Sequence, residues 1–200
     1  MTINPILINI PEKIETSNLI LQIPKAGDGA ELHKAISDGY EDYVKWLAWP
    51  STLPTAEAVE IECRNHRAEF ILRSCIRFII TEKKSGTIIG RCAFPPLQVM
   101  WSIPQFGISY FIRRSARRHG YATEAAHALS VLAFRVLEAK KVEIYCDAEN
   151  ETSQKIPHRL GYFLECTKKG GWPRTDNKLA DIQTYAIFSQ DQLPKWPVRW

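Results

Sequence analysis

Apolar positions recur along the chain with two periods, and the switches between them outline its elements. Leu19 to Ile23 alternates apolar and polar and stops at Pro24, as a strand does. Leu32, Ala35 and Ile36 then fall at helical spacing, which predicts a helix over Ala30 to Ser37 capped by Asp28. A second short helix is expected over Glu41 to Leu47. A long one follows over Thr55 to Ser74, with Ser51 or Thr55 as N-cap and Ala58, Ile61, Ala68 and Ile71 as its buried stripe.

The period of two returns in Arg77 to Thr81 and Thr87 to Ala93, joined by EKKSG as a hairpin, and again in FGISYFI, Phe106 to Ile112. From Ala122 to Val136 small and apolar residues recur every three or four positions, predicting a helix of about four turns. Val142 to Asp147 reads as a strand, Glu151 to Leu160 as a helix closed by Gly161, and Tyr162 to Thr167 and Ile182 to Phe188 as closing strands. No repeat or flexible linker divides the pattern. The expectation is one α/β domain over residues 1–200, with its core at about 15–190, strands antiparallel early and crossing over through helices later, and the tail 191–200 unplaced.

Composition removes several classes of protein. At 45% hydrophobic and 24% charged residues over 200 positions, the chain can bury a core and is not disordered. No apolar run reaches the ~18 residues of a membrane span, and the N-terminus lacks a basic signal region, so a cytoplasmic location is expected. Five scattered cysteines without a CxxC pair read as buried thiols, and five dispersed histidines show no ligand spacing, so no metal is expected.

Charge narrows the search. Lys and Arg number 26 against 22 Asp and Glu, and the excess of four equals the four arginines of RRSARRH, Arg113 to His119. An anionic partner belongs there, and one tight cluster suits a small polyanion better than a nucleic-acid backbone. The cluster leads through Gly120 into the helix expected over Ala122 to Val136. A strand, a small-residue turn and a helix N-terminus together present free N–H groups and the positive end of a helix dipole, the usual setting for phosphate. Neither GxxxxGK[ST] nor GxGxxG is present, which disfavours ATP and dinucleotides.

The pattern R-x-x-G-x-A at Arg117, Gly120 and Ala122 resembles the pyrophosphate motif of the GNAT N-acetyltransferase superfamily. The opening ETSNLILQIPKAGDGAELHKAI, the pair Trp46 and Trp49 in WLAWP, the continuation GYATEA and the run AENETSQKIPHRLGYFLE resemble its RimJ/RimL-like branch, which contains ribosomal-protein N-terminal acetyltransferases. The resemblance covers roughly residues 15 to 165. It implies a twisted sheet whose central strands splay to admit acetyl-CoA, and direct transfer of acetyl to a primary amine, either a protein N-terminus or a small molecule.

Residue by residue, the resemblance implies that Tyr110, Phe111, Ile112 and Arg113 pair their backbone with the pantetheine arm. Arg117, Arg118, His119, Gly120, Tyr121, Ala122 and Thr123 would hold the pyrophosphate. Asn150 and Ser153 match the family's N-x-x-S, with Ser153 beside the acetyl sulfur and a main-chain N–H near Tyr110 or Phe111 polarising the carbonyl. Trp46 and Trp49 would wall the acceptor pocket or serve as core aromatics, and Asn150 and Ser153 also suit a helix N-cap.

One departure stands out. Relatives often carry Glu in an E-I-G-Y strand, where this chain reads Gly107-Ile108-Ser109-Tyr110, which leaves Asp147 and Glu165 as carboxylates for a general base. The alternatives are an acyl-CoA-binding module without turnover and an RNA or ribosome contact through Arg113 to Arg118. No membrane partner is expected, and a homodimer stays open.

Overall fold

The computed structural model describes residues 4–47, 49–96, 99–175 and 177–200. In chain order they form β1 (Lys13–Glu15), β2 (Leu19–Gln22), α1 (Gly29–Ser37), α2 (Tyr40–Leu47), α3 (Ala56–Leu72), β3 (Ile76–Glu82), β4 (Ile88–Phe94), β5 (Val99–Met100) and β6 (Gln105–Ile112). There follow α4 (Tyr121–Arg135), β7 (Lys141–Asp147), α5 (Glu151–Arg159), β8 (Phe163–Pro173) and β9 (Leu179–Ile187). The strands make one sheet in the order β1-β2-β3-β4-β6-β7-β9-β8, with β5 paired to β6. Neighbours are antiparallel except β6 and β7, which run parallel because α4 carries the chain back between them.

Each face of the sheet is covered by helices the hydrophobic pattern set up. On one face, Leu32, Ile36, Tyr43, Val59 and Cys63 of α1, α2 and α3 pack against Ile79 and Phe111. On the other, Ala125, Leu129, Leu132 and Ala133 of α4 join Ile156 and Leu160 against Phe78, Phe94, Phe106 and Ile144. The α4 stripe and that of α1 are therefore as expected.

The stripe assigned to α3 is not. Ile61 and Ile71 are 53% and 58% exposed and Ala58 and Ala68 also face solvent, while Val59, Cys63, His66 and Phe70 are buried. A cysteine and a histidine occupy two of the four inward positions, so an apolar count selects the wrong face. Thr55 does cap this helix, accepting from the Ala58 N–H. Asp28 does not cap α1; its carboxylate instead accepts from the Lys25 N–H and closes the preceding turn.

The C-terminal tail, without a place in the sequence pattern, closes the structure beside β1 and α4. Leu193 is buried, the His127 ring donates to the Pro194 carbonyl at 2.6 Å and lies 4.9 Å from the Trp196 ring, and Arg199 bridges to Glu15. The last hairpin is also longer than expected, because β8 continues through Gly170, Gly171 and Trp172 to Pro173.

Candidate active site

The site begins where two strands part. β6 and β7 pair in register from Gln105 and Lys141 to Ile108 and Ile144, and there the pairing ends. Beyond that point β6 keeps its bonds to β4 as far as Ile112, and β7 keeps its bonds to β9 as far as Asp147. Each strand stays anchored on its outer side while the inner edges separate. A cleft of about 800 Å³ opens there, lined by Tyr110, Phe111 and Ile112, by Asn150 and Ser153 across from them, and by Trp46 of α2.

Antiparallel alternation decides which backbone groups on β6 are free. The Arg113 N–H donates to the Ile89 carbonyl at 2.7 Å, so residues 111 and 113 turn their main chain to β4 and residues 110 and 112 turn theirs to the cleft. The Ile112 carbonyl is already occupied, accepting from the Tyr43 hydroxyl at 3.0 Å and from Arg117 Nε at 3.1 Å. The expected four-residue pairing edge, Tyr110 to Arg113, narrows to the main chain of Tyr110 and the Ile112 N–H.

At the mouth of the cleft a 3₁₀ turn, Arg114–Ala116, leads to α4. Arg118 (φ 67°) and Gly120 (φ 81°) both take left-handed backbone, which Gly120 adopts without the cost another residue bears. The six consecutive N–H groups from Arg118 to Thr123 have no acceptor among the described residues. They lie at the positive end of a 15-residue helix, where a phosphate group could supply the acceptors they lack. The His119 ring stacks on Tyr121 at 5.4 Å beside them, and the Tyr121 hydroxyl is fixed by Glu82.

The arginines serve differently from what their clustering implies. Arg113 is bound to Asp38, Arg114 to Glu41 and Asp42, and Arg117 to Asp42 at 2.5 Å. Asp38 also accepts from the Ser115 hydroxyl and N–H, and these bonds, with Arg113, hold its carboxyl down at about 2. Three of the four guanidinium groups thus fasten the loop to α1 and α2. Arg118 alone has no acid partner among the described residues.

Across the cleft, Asn150 caps α5 by accepting the Ser153 N–H at 3.1 Å, which orients Ser153 toward β6. Ser153 Oγ lies 3.2 Å from the Tyr110 hydroxyl and accepts from the Cys146 thiol at 3.3 Å. Burial pushes the Tyr110 phenol well above its ordinary range and the Cys146 thiol up to about 11, so both stay protonated, and the thiol's hydrogen bond to Ser153 leaves the Ser153 hydroxyl free to donate into the cleft. The two tryptophans separate: Trp46 lines the cleft, with Lys45 over its ring at 4.2 Å, while Trp49 packs against Tyr43 and Phe111 at 5.2 and 5.3 Å.

Residues 18–162 match the family model of the acetyltransferase (GNAT) domain. The chain belongs to the GNAT acetyltransferase family. With that membership come the donor, acetyl-CoA, and the reaction, transfer of acetyl to an amine. No curated protein matches the chain. Among solved structures, a RimL ribosomal L7/L12 alpha-N-protein acetyltransferase in complex with coenzyme A is 17% identical, with a TM-score of 0.79 over 90% of this chain and 98% of the other. The ribosomal-protein-S5-alanine acetyltransferase of Vibrio fischeri is 14% identical, with a TM-score of 0.78 over 91% and 99%. A microcin C7 self-immunity acetyltransferase, MccE, solved with acetyl-CoA and AMP, is 18% identical, with a TM-score of 0.77 over 94% and 99%. At these identities the likeness is one of fold.

Within this GNAT domain the two carboxylates left by the sequence as bases are both engaged. Asp147 is buried and gives both oxygens to Arg174, at 2.7 and 2.9 Å, and Arg174 also holds Glu149 at 2.9 Å. That clasp ties the β8–β9 hairpin to the turn that presents Asn150. Glu165 is paired with Lys141 at 2.7 Å. Sequence reasoning missed Arg174, and it missed Glu143 and Tyr145 of β7, because their partners lie on other strands or two residues away on one face.

Proposed function

We propose that this acetyltransferase acts on a protein N-terminal α-amine, or a small amine of similar basicity, by direct attack within the cleft between β6 and β7. The observation that carries the reading is the parting of these strands after Ile108 and Ile144, next to the unsatisfied N–H groups of Arg118 to Thr123. Acetyl-CoA supplies a thioester carbonyl carbon for the amine and a sulfur that leaves as thiolate. The loop N–H groups hold the diphosphate, and the open main chain of Tyr110 and the Ile112 N–H extend β6 along the pantetheine in strand-addition fashion. Ser153 donates to the departing sulfur, kept in place by the Asn150 cap and the Tyr110 hydroxyl. Fixing both reactants in one cleft supplies much of the rate.

Magnitudes favour an α-amine over lysine. An amine with pKa about 8 needs about 1.4 kcal/mol to lose its proton at pH 7, whereas a lysine near 10.4 needs about 4.6 kcal/mol. The names of two structural neighbours, which act on ribosomal proteins, point the same way, and a cytoplasmic location goes with such an acceptor. The test is a screen of short peptides with free Ser, Ala or Met N-termini against N-terminally blocked peptides with one lysine, read by thiol release from acetyl-CoA. Release with free N-termini only is expected. Faster release with the lysine peptides overturns the acceptor, and coenzyme A binding without any release overturns turnover.

A further inference from the structure

Gly107 stands where the resemblance leads one to expect a strand Glu, and the sheet register shows which carboxylate faces it. Gly107 pairs with Glu143 of β7, so the two residues share a face. Phe111, two positions beyond Ser109 on that face, packs under Tyr43 and Trp49, so this is also the face on which α2 stands with Trp46 at the cleft. Tyr145 is the first β7 residue past the parting, and its side chain falls on the same face. Its hydroxyl donates to Glu143 at 2.7 Å.

We propose that Glu143, reached through the Tyr145 hydroxyl, is the proton acceptor for the amine. The assignment rests on the transferase reading above and deepens it. The charge balance suits an amine substrate. Lys141 Nζ lies 2.7 Å from Glu143 and 2.7 Å from Glu165, so one cation is shared by two carboxylates and the group keeps one negative charge. Glu143 and Lys141 are only 15% and 17% exposed, so that charge is weakly screened. The other groups facing it are Tyr145 on β7 and Cys166 on β8. The facing positions of β6 (Gln105, Gly107, Ser109) and of β9 (Thr184, Ala186) do not titrate.

The proton step balances. The amine enters as its neutral fraction. As its nitrogen bonds to the carbonyl carbon, the carbonyl pair moves to oxygen and the two N–H bonds become strongly acidic; one of them breaks, its electron pair stays on nitrogen, and the proton goes to Tyr145 Oη while the phenol's own proton passes to Glu143. The oxygen pair then reforms the carbonyl and the C–S bond breaks with its pair on sulfur. No phenolate accumulates, in keeping with burial and the Glu143 bond raising the Tyr145 pKa.

The experiment compares wild type, Glu143→Gln and Tyr145→Phe over pH 5.5 to 9.5, using a peptide acceptor, thiol release, and calorimetry with coenzyme A. Glu143→Gln is expected to lower kcat by about 100-fold and remove the enzyme's own acid-side inflection of kcat/KM, leaving only the one the acceptor amine contributes near its pKa of about 8, with coenzyme A affinity within about twofold of wild type. It should also weaken peptide binding to the coenzyme A complex by about fivefold, and Glu143→Asp should restore part of kcat. A wild-type pH profile in either Glu143→Gln or Tyr145→Phe overturns the assignment while leaving the transferase reading intact. If wild type itself releases no thiol with any free N-terminus, the transferase reading fails and this inference falls with it.

Discussion

The two ends of the cleft are built in opposite ways. The phosphate end is one continuous stretch, Arg113 to Thr123, whose recognition groups are main-chain N–H bonds aimed by a left-handed Gly120 and a helix start. The acceptor end, on the proposal above, draws on side chains of separate elements: Trp46 of α2, which lines the cleft, and the Tyr145–Glu143 pair of β7, which Lys141 joins to Glu165 of β8. Backbone recognition tolerates sequence change outside the turn, so it marks the donor common to a family. Side chains drawn from several strands can change one at a time, so they set what is particular to one acceptor. A lesion at the first end should act on donor affinity and a lesion at the second on turnover.

The largest effect tests the backbone end. Nothing lies within 4 Å of a Cβ built on Gly120, so bulk meets no protein atom there, but at φ 81° a branched side chain is strained and would project from the turn that carries the free N–H groups. Gly120→Val is expected to reduce coenzyme A affinity by about 100-fold in calorimetry while thermal unfolding stays cooperative. Unchanged affinity would show that the diphosphate lies elsewhere. Next in size is Ser153→Ala, which removes the hydroxyl between Tyr110 and Cys146 but leaves the main-chain N–H that Asn150 caps. A fall in kcat of about 10- to 100-fold with coenzyme A affinity held within about twofold is the expected split. Equal losses in both would make Ser153 part of the donor end.

A smaller effect separates the arginines. Arg118→Ala should weaken coenzyme A by about 3- to 10-fold, more at low salt, whereas Arg114→Ala should leave affinity unchanged, because Glu41 and Asp42 already take its charge. An equal loss in both would mean that the acids of α2 do not neutralise the loop. The RNA reading weakens for the same reason, since three of its four cations are already paired with carboxylates.

The contrast also explains what could be read from the residues alone. The turn from β6 into α4 was legible because strand, turn and helix start are adjacent in sequence, and the α4 stripe because its inward positions are small or apolar. Asn150 and Ser153 were legible as a capping pattern whatever else they do. What stayed hidden depends on register. Nothing in VEIYCD says that Glu143 will face Gly107, 36 positions away, and nothing in PRTD says that Arg174 will take both oxygens of Asp147. The arginine cluster misled because its partners, Asp38, Glu41 and Asp42, come some seventy positions earlier and neutralise it only in the fold. The α3 stripe misled because Cys63 and His66 do the work of apolar residues.

That buried histidine bears on how the acid limb at the acceptor end is to be measured. His66 is 6% exposed, its Nδ1 finds no hydrogen-bond partner among the described residues, and burial, with Arg77 and Arg91 nearby, pushes its pKa down to about 3. The folded imidazole therefore stays neutral while the unfolded chain takes up a proton below about 6.5. A folded pKa below the unfolded one means that stability is intact above about pH 6.5 and is lost as pH falls toward 3. Asp38, held at about 2, adds a second loss that begins only near pH 4. His66→Leu should keep the pH 7 melting temperature within a few degrees and shrink the drop between pH 7 and pH 5, measured by thermal denaturation at each pH. If the drop is unchanged, His66 is protonated in the folded state. If it shrinks as expected, an acid-side inflection in kcat/KM that persists in His66→Leu comes from the cleft and not from unfolding, and the role of Glu143 can then be read from it directly.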